Sequence, residues 1–236
     1  MPKRPSPAAG LSVSRTKIAG LFLVVSLSHS PLNAESRRYG GALIGISTLS
    51  ADGRSSITPA TTAVSLYKPE NGPALNLFGG VHLTEYISLQ GNYVWNRNDL
   101  LLTSTQFSDA NQILYEQNRG SSQQSIIADF LLYFRNRQSR FRPYLSAGTG
   151  FVHFKSRRGE LRAIRGSPTL PPESFVSSMP VLRVAVGIDV AVSRNWSFRY
   201  SFSETINKNP ISRQLSPPGQ RNLANFQNLF GLVRYF

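Results

Sequence analysis

The feature that most constrains this chain is an alternation of apolar and polar residues with a period of two, which recurs after residue 34. In the segment 181–192, every even-numbered residue is Leu, Val or Ile, whereas Arg183 and Asp189 occupy odd-numbered positions. Because successive side chains of a β-strand point to opposite sides, this pattern indicates strands with one apolar and one polar face. The sequence therefore predicts an all-β fold.

Eight segments carry this pattern, and their connections alternate strictly between short and long. The segments are 39–48, 76–83, 86–96, 124–135, 142–155, 181–192, 196–203 and 226–236. The short connections lie near 84–85, 136–141 and 193–195, and the long ones near 49–73, 97–122, 156–179 and 204–224. Short periplasmic turns and long extracellular loops are typical of outer-membrane barrels, in which the sheet must close because lipid cannot satisfy a strand edge. We predict an eight-stranded antiparallel transmembrane β-barrel over residues 35–236.

Residues 1–34 have the composition of a secretory signal peptide. A basic segment without acidic residues precedes the apolar run 18–27, which is too short to span a bilayer as a helix. Leu32-Asn33-Ala34 follows as a cleavage site. The alternative is a buried core helix of a soluble protein. We expect the mature chain to begin near residue 35 and to reside in the bacterial outer membrane.

The charge of the chain bears on its partners. The formal net charge is +14, and loss of residues 1–34 leaves 22 Lys and Arg against 12 Asp and Glu, a net of +10. In an exported protein this excess favours anionic lipid and lipopolysaccharide phosphates as partners, and not nucleic acid. The chain has no cysteine, and no carboxylate–His cluster suggests a metal. We therefore expect no cofactor.

Three stretches resemble the small OmpA-like and OmpW-like outer-membrane barrel families. They are the glycine-rich opening 39–46, the strand 142–150 and the C-terminal segment 231–236. The resemblance implies an architecture and a location more than an activity. Phe236 resembles the terminal aromatic signal that the barrel-assembly machinery reads, so this machinery is an expected partner.

Charged residues on the polar face predict an ion pair inside the barrel. Asp189 and Arg199 are symmetric about Arg194, so a hairpin centred there places them opposite one another. A lone charge in a narrow interior is costly, and a paired one is tolerable. We predict a pair that helps to plug the barrel and is extended by Arg183 and Asp129.

Two groups of basic residues lie at the predicted barrel ends. The third long loop carries one group, opposed only by Glu160, and we interpret it as a contact for lipopolysaccharide phosphates, with a solvated loop as the alternative. This group is Lys155, Arg157, Arg158, Arg162 and Arg165. The other group flanks a predicted periplasmic turn and would face anionic headgroups. It is Arg135, Arg137, Arg140 and Arg142.

The sequence offers little support for catalysis. The stretch 199–204 faintly resembles the His-x-Ser-Asn segment of lipid A deacylases, but Ser201 stands where the general-base His should be, and Ser203 is then a weak nucleophile. His82 and His153 are predicted at opposite ends of the barrel and cannot share a site.

We therefore predict a non-enzymatic outer-membrane protein that serves envelope integrity, surface interaction or the passage of small solutes. One alternative is a lipid A-modifying hydrolase of the deacylase type. The other is a soluble periplasmic binding protein of the lipocalin type, which would reverse the burial of the two strand faces.

Overall fold

A computed structural model describes residues 38–50, 55–56, 62–69, 71–107, 112–164, 173–208 and 222–236. The predicted signal peptide, residues 1–34, lies outside these ranges. Within them, the structure shows no helix that is long and apolar enough to cross a bilayer. The strands are β1 (Arg38–Ser50), β2 (Ser55–Ser56), β3 (Thr62–Pro69), β4 (Asn71–His82), β5 (Ile87–Phe107), β6 (Gln112–Tyr133), β7 (Phe141–Ile164), β8 (Ser174–Ala191), β9 (Trp196–Lys208) and β10 (Asn222–Tyr235).

Eight of these strands close into a barrel. β1 and β4 to β10 follow one another around it, each antiparallel to both neighbours, and β10 pairs again with β1. The closing ladder runs from Tyr39, opposite Tyr235, to Ser50, opposite Ala224. Because every barrel strand has a partner on each side, its backbone needs no hydrogen bond from the surrounding lipid. The predicted eight-stranded antiparallel barrel is confirmed.

The two ends of the barrel differ. At one end, called here the short-turn end, turns at 83–86, 134–140 and 192–195 join successive strands. In the first turn, the Thr84 hydroxyl accepts hydrogen bonds from the amides of Tyr86 and Ile87 at 3.2 and 3.0 Å, which stabilises a tight reversal. The Phe236 amide donates to the Arg38 carbonyl at this end. The opposite end, called the long-loop end, carries the other connections between barrel strands.

The strand faces have the polarity that lipid requires. On β8, Val184 and Val186 are about half exposed, whereas Arg183 and Asp189 are only 3 % and 1 % exposed. A soluble sandwich or lipocalin buries its apolar face, so this arrangement fits a membrane barrel instead. The interior also contains an apolar cluster that includes Tyr39 and Phe78, whereas the sequence pattern predicts a polar inward face.

The strands extend much further toward the long-loop end than the sequence predicts. β5, β6 and β7 contain 21, 22 and 24 residues, whereas about 9–11 suffice to cross a bilayer. The reason is that a ladder in water needs no apolar outward face, so pairing continues where the alternation fades, as at Arg97 and Asp99. In the first predicted loop, β3 pairs with residues 100–107 of β5, and β2 pairs with β3.

These bounds separate the membrane-embedded part of the barrel from the hairpins beyond it. Replacing residues 105–114 with Asn-Gly would join Ser104 to Tyr115, which already pair, through a favoured two-residue turn. We expect this variant to assemble normally.

A second variant, Val186→Arg, places a charge on the lipid-facing side of β8 and should lower the free energy of unfolding by about 2–4 kcal/mol. Heat-modifiable gel mobility and urea unfolding in lipid measure both effects, and an equal loss of assembly would contradict the assignment.

Candidate functional site

The interior contains a bidentate ion pair between two neighbouring strands, near the short-turn end of the barrel. Asp189 of β8 lies directly opposite Arg199 of β9 in the ladder. Arg199 Nε donates to Asp189 Oδ1 at 2.5 Å, and Arg199 Nη2 donates to Asp189 Oδ2 at 2.7 Å. Both side chains are 1 % exposed. The hairpin register predicted from the symmetry about Arg194 is the register that the structure shows.

Two further side chains use the remaining hydrogen-bonding capacity of this pair. Arg199 Nη1 donates to Gln90 Oε1 at 2.7 Å, and Arg199 Nη2 donates to the Tyr133 hydroxyl at 2.8 Å. The Tyr133 hydroxyl in turn donates to Asp189 Oδ2 at 3.1 Å. Each guanidinium nitrogen of Arg199 therefore has an acceptor, which offsets the cost of burying the charge.

Aromatic rings surround the guanidinium of Arg199. Its Cζ lies 4.8 Å from the centroid of Phe78, 5.1 Å from that of Tyr144 and 5.6 Å from that of Tyr39, so each ring adds a cation–π contact. Glycines make room for two of these rings. A side chain at Gly80 would collide with Tyr39, and one at Gly187 would collide with Tyr144.

A second buried ion pair joins β6 to β8. Arg183 Nη1 donates to Asp129 Oδ2 at 2.8 Å, and Asn92 Nδ2 donates to the same oxygen at 3.1 Å. Gln90 Nε2 donates to Asn92 Oδ1 at 2.7 Å. Gln90 and Asn92 of β5 thus connect the two ion pairs into one hydrogen-bonded chain across the interior.

A separate buried group lies toward the long-loop end. Arg119 is fully buried, donates from Nη1 to Gln117 Oε1 at 3.0 Å, and places its Cζ 4.3 Å from the centroid of Phe175. Phe154 and Phe175 are 0 % and 1 % exposed. Side chains therefore also fill the barrel beyond these two ion pairs, which agrees with the narrow interior of an eight-stranded barrel.

The residues considered for catalysis do not meet. Ser203 is 1 % exposed inside the barrel, where its Oγ donates to Gln227 Oε1 at 3.3 Å and accepts from Arg183 Nη2 at 3.4 Å. His82 is buried at the short-turn end, whereas His153 is exposed on the outward face of β7. Among the described residues, no group of three His, Cys, Asp or Glu could hold a metal ion.

The basic residues predicted to lie in the third loop instead belong largely to a strand. Lys155, Arg157, Arg158 and Arg162 are part of β7, and Lys155 and Arg157 pair with Ser122 and Gly120 of β6. The side chain of Arg162 and the whole of Arg165 lie outside the described residues. Prediction from sequence misses this because the outward face of β7 becomes polar at His153.

The same architecture occurs in known proteins. A family model described as the outer membrane protein beta-barrel domain matches residues 18–232. The chain belongs to this family. It is therefore a protein of the bacterial outer membrane, with its short-turn end toward the periplasm and its long-loop end toward the exterior.

Solved structures of outer-membrane barrels are similar to this family member. Neisserial surface protein A matches with a TM-score of 0.51 and 15 % identity over 84 % of this chain and 97 % of that one. OprG of Pseudomonas aeruginosa has a TM-score of 0.48 and 12 % identity, with 85 % and 96 % of the two chains covered. Ail of Yersinia pestis, crystallised with the heparin analogue sucrose octasulfate, has a TM-score of 0.42 and 14 % identity, with 85 % and 99 % of the two chains covered. At these identities the likeness concerns the fold, and no curated protein matches the chain.

The ion pair of Asp189 with Arg199 predicts strong energetic coupling. Asp189→Asn or Arg199→Gln alone leaves a buried, unpaired charge and should lower the free energy of unfolding by about 3–5 kcal/mol. The double variant should lose less than the sum of the single losses, as measured by urea unfolding in lipid. The control is the pair of Arg137 and Glu85, whose side chains are 18 % and 44 % exposed and for which we expect coupling below about 1 kcal/mol. Additive losses at Asp189 and Arg199 would show that the pair does not couple.

Proposed function

We propose that this protein is a non-enzymatic component of the outer membrane that binds lipopolysaccharide through its outward face and whose barrel is closed to solutes. One observation carries the proposal. A row of basic side chains lies on the outward face, immediately beyond the apolar band. At that boundary a cation can reach a lipid phosphate while its strand still contacts the acyl chains.

β7 shows the change from apolar to basic most clearly. Its outward positions run from Phe151, which is 68 % exposed, through His153 and Lys155 to Arg157. Each step of two residues advances about 6.6 Å along the strand. A phosphate bound near Lys155 would therefore lie just outside the apolar band, whose outer edge on β7 is Phe151.

A third cation extends this row across the neighbouring strands. Arg97 of β5 and Lys155 of β7 both pair with Ser122 of β6, so they flank one outward position at a separation of two strand spacings, or about 9.6 Å. Asp99 lies in the next row with Arg157, on either side of Gly120. Together, Arg97, Lys155 and Arg157 outnumber the single acidic residue Asp99. The two arginines can form bidentate hydrogen bonds with phosphate oxygens.

The filled interior supports a barrel that does not conduct. Arg199 holds Gln90, Tyr133 and Asp189 together near the periplasmic side, and Arg119 and Phe175 fill the space further out. A solute would have to break buried ion pairs to pass. The inward position of Ser203, away from lipid, supports the absence of lipid A hydrolysis by that residue.

We also propose that the barrel-assembly machinery recognises Phe236. The Phe236 side chain is 63 % exposed at the end of the closing strand. Arg234, two residues earlier, places its Cζ 5.2 Å from the ring of Phe236 and 5.7 Å from the ring of Trp196. The stem of Arg234 can then follow the apolar rim while its charge stays near water.

The lipopolysaccharide proposal is tested by removing outward charge. Lys155→Gln combined with Arg157→Gln should weaken lipopolysaccharide binding about tenfold or more, since each surface cation contributes about 1 kcal/mol. Calorimetry on the refolded protein measures the affinity, which should fall with salt. The control, Arg135→Gln combined with Arg140→Gln, removes the same charge from exposed positions at the periplasmic end. Equal losses in both variants, or an affinity independent of salt, would contradict the proposal.

The closed interior is tested by electrical recording. Wild-type protein in planar bilayers should give no stable conductance steps, because the buried ion pairs leave no continuous path for water. Asp189→Ala combined with Arg199→Ala should raise the ion leak if the barrel remains assembled. Regular steps from the wild type would overturn this part of the proposal.

A further inference from the structure

A cavity of about 460 Å³ opens at the periplasmic end of the barrel. Asp189 lies among its lining residues, and the turns at 134–140 and 192–195 contribute several others. Its volume lies in the range of pockets that hold small molecules. Four of its lining residues are His82, Arg142, Arg194 and Ser197. This cavity is at the opposite end from the proposed lipopolysaccharide surface, so a ligand bound here would be independent of that function.

Arg142 is a buried cation that makes no ion pair within the described part of the chain, although it lies directly opposite Asp189 in the β7–β8 ladder. It is 4 % exposed and pairs with no carboxylate among the described residues. Its Nη2 donates to the Glu85 carbonyl oxygen at a long 3.4 Å, its Cζ lies 3.9 Å from the ring centroid of Tyr133, and its Nε is buried with no hydrogen-bond partner. A buried guanidinium held this weakly is costly, and an anion in the cavity would offset that cost.

The acidic groups near Arg142 are already engaged. The Glu85 carboxylate accepts hydrogen bonds from Arg137 Nη2 at 2.7 Å and from Arg137 Nε at 3.1 Å, and these bonds lower the pKa of Glu85. The Asp189 carboxylate is occupied by Arg199 and Tyr133. Arg142 and the exposed Arg194 therefore leave the cavity with an excess positive charge.

His82 contributes a second unsatisfied polar atom. Its Nδ1 is 2.6 Å from the Ser88 hydroxyl, and its Nε2 is buried with no hydrogen-bond partner. The ring is fixed between aromatic neighbours, with its centroid 4.8 Å from that of Tyr39 and 6.0 Å from that of Tyr235. The imidazole is thus held in place beside the cavity, with one ring nitrogen that has no hydrogen-bond partner in the protein.

We propose that this cavity binds a phosphate group, with Arg142 as its buried anchor, Arg194 at the rim, and His82 and Ser197 as further hydrogen-bond donors. Two guanidinium groups with additional donors exceed what a single carboxylate can accept, and they match the several oxygens of a phosphate. The phosphate can belong to a soluble periplasmic ester or to a phospholipid headgroup of the inner leaflet. Both sources present the same chemistry to the site.

Inorganic phosphate is the first probe. Calorimetry in a detergent without phosphate should show saturable binding to the refolded wild type, with glycerol 3-phosphate as a competitor. Arg142→Gln should weaken the affinity about tenfold or more, as loss of a charged hydrogen-bond donor does. Arg194→Gln changes a side chain that is exposed in a turn and should weaken the affinity about threefold. Because an exposed side chain contributes little to stability, we expect this variant to fold, so it tests the site even if Arg142→Gln does not.

Arg135→Gln is the matched control, since Arg135 is exposed at the same end but does not line the cavity. It should leave phosphate affinity unchanged. Reconstitution in phosphatidylglycerol nanodiscs distinguishes the sources: loss of phosphate binding there assigns the site to lipid headgroups, and retained binding assigns it to soluble phosphates. No saturable binding to the wild type, equal affinity in wild type and both cavity variants, or an equal loss in Arg135→Gln would overturn the proposal.

Discussion

The pairing of β1 with β10 is the interaction on which the rest of this structure depends. In hydrocarbon a free strand edge would leave a row of amides and carbonyls unpaired at several kcal/mol each. The ladder from Tyr39 opposite Tyr235 to Ser50 opposite Ala224 removes that edge. Closure also fixes which side of each strand is enclosed, so the direction of every side chain follows from its parity in the sequence.

Closure in turn explains why charged residues can lie inside the barrel. An eight-stranded interior is too narrow for bulk water, so a charge within it needs partners from several directions. Arg199 finds its carboxylate on the adjacent strand, at Asp189, and a neutral acceptor on a distant strand, at Gln90. Because such bonds reach across the interior, the network ties strands together that share no backbone ladder.

Much of this arrangement could be predicted from sequence, and the limits have physical causes. Parity and hairpin symmetry place Asp189 opposite Arg199, because a short turn leaves little freedom of register. The contact of Gln90 with Arg199 could not be predicted in this way, since it crosses the barrel between β5 and β9, which are not neighbouring strands. The predicted outer bounds of β5, β6 and β7 are too short, because alternation reports contact with lipid and not backbone pairing. For the same reason the prediction places Arg157 and Arg158 in a loop, whereas they belong to β7.

Charge is divided along the barrel axis in a way that separates structural from binding roles. In the interior, Asp129 and Asp189 each face an arginine, and the pairs add no net charge. At each end the described residues include a cation without an acidic partner of its own, Lys155 on the outside and Arg142 on the periplasmic side. Glu85 pairs with Arg137, and Asp189 pairs with Arg199, so Arg142 is left without an ion pair of its own. A buried arginine in this state lowers the stability of the fold, which an apolar residue at this position would not do. Such a cost is easiest to understand if an anion from outside the chain completes the site.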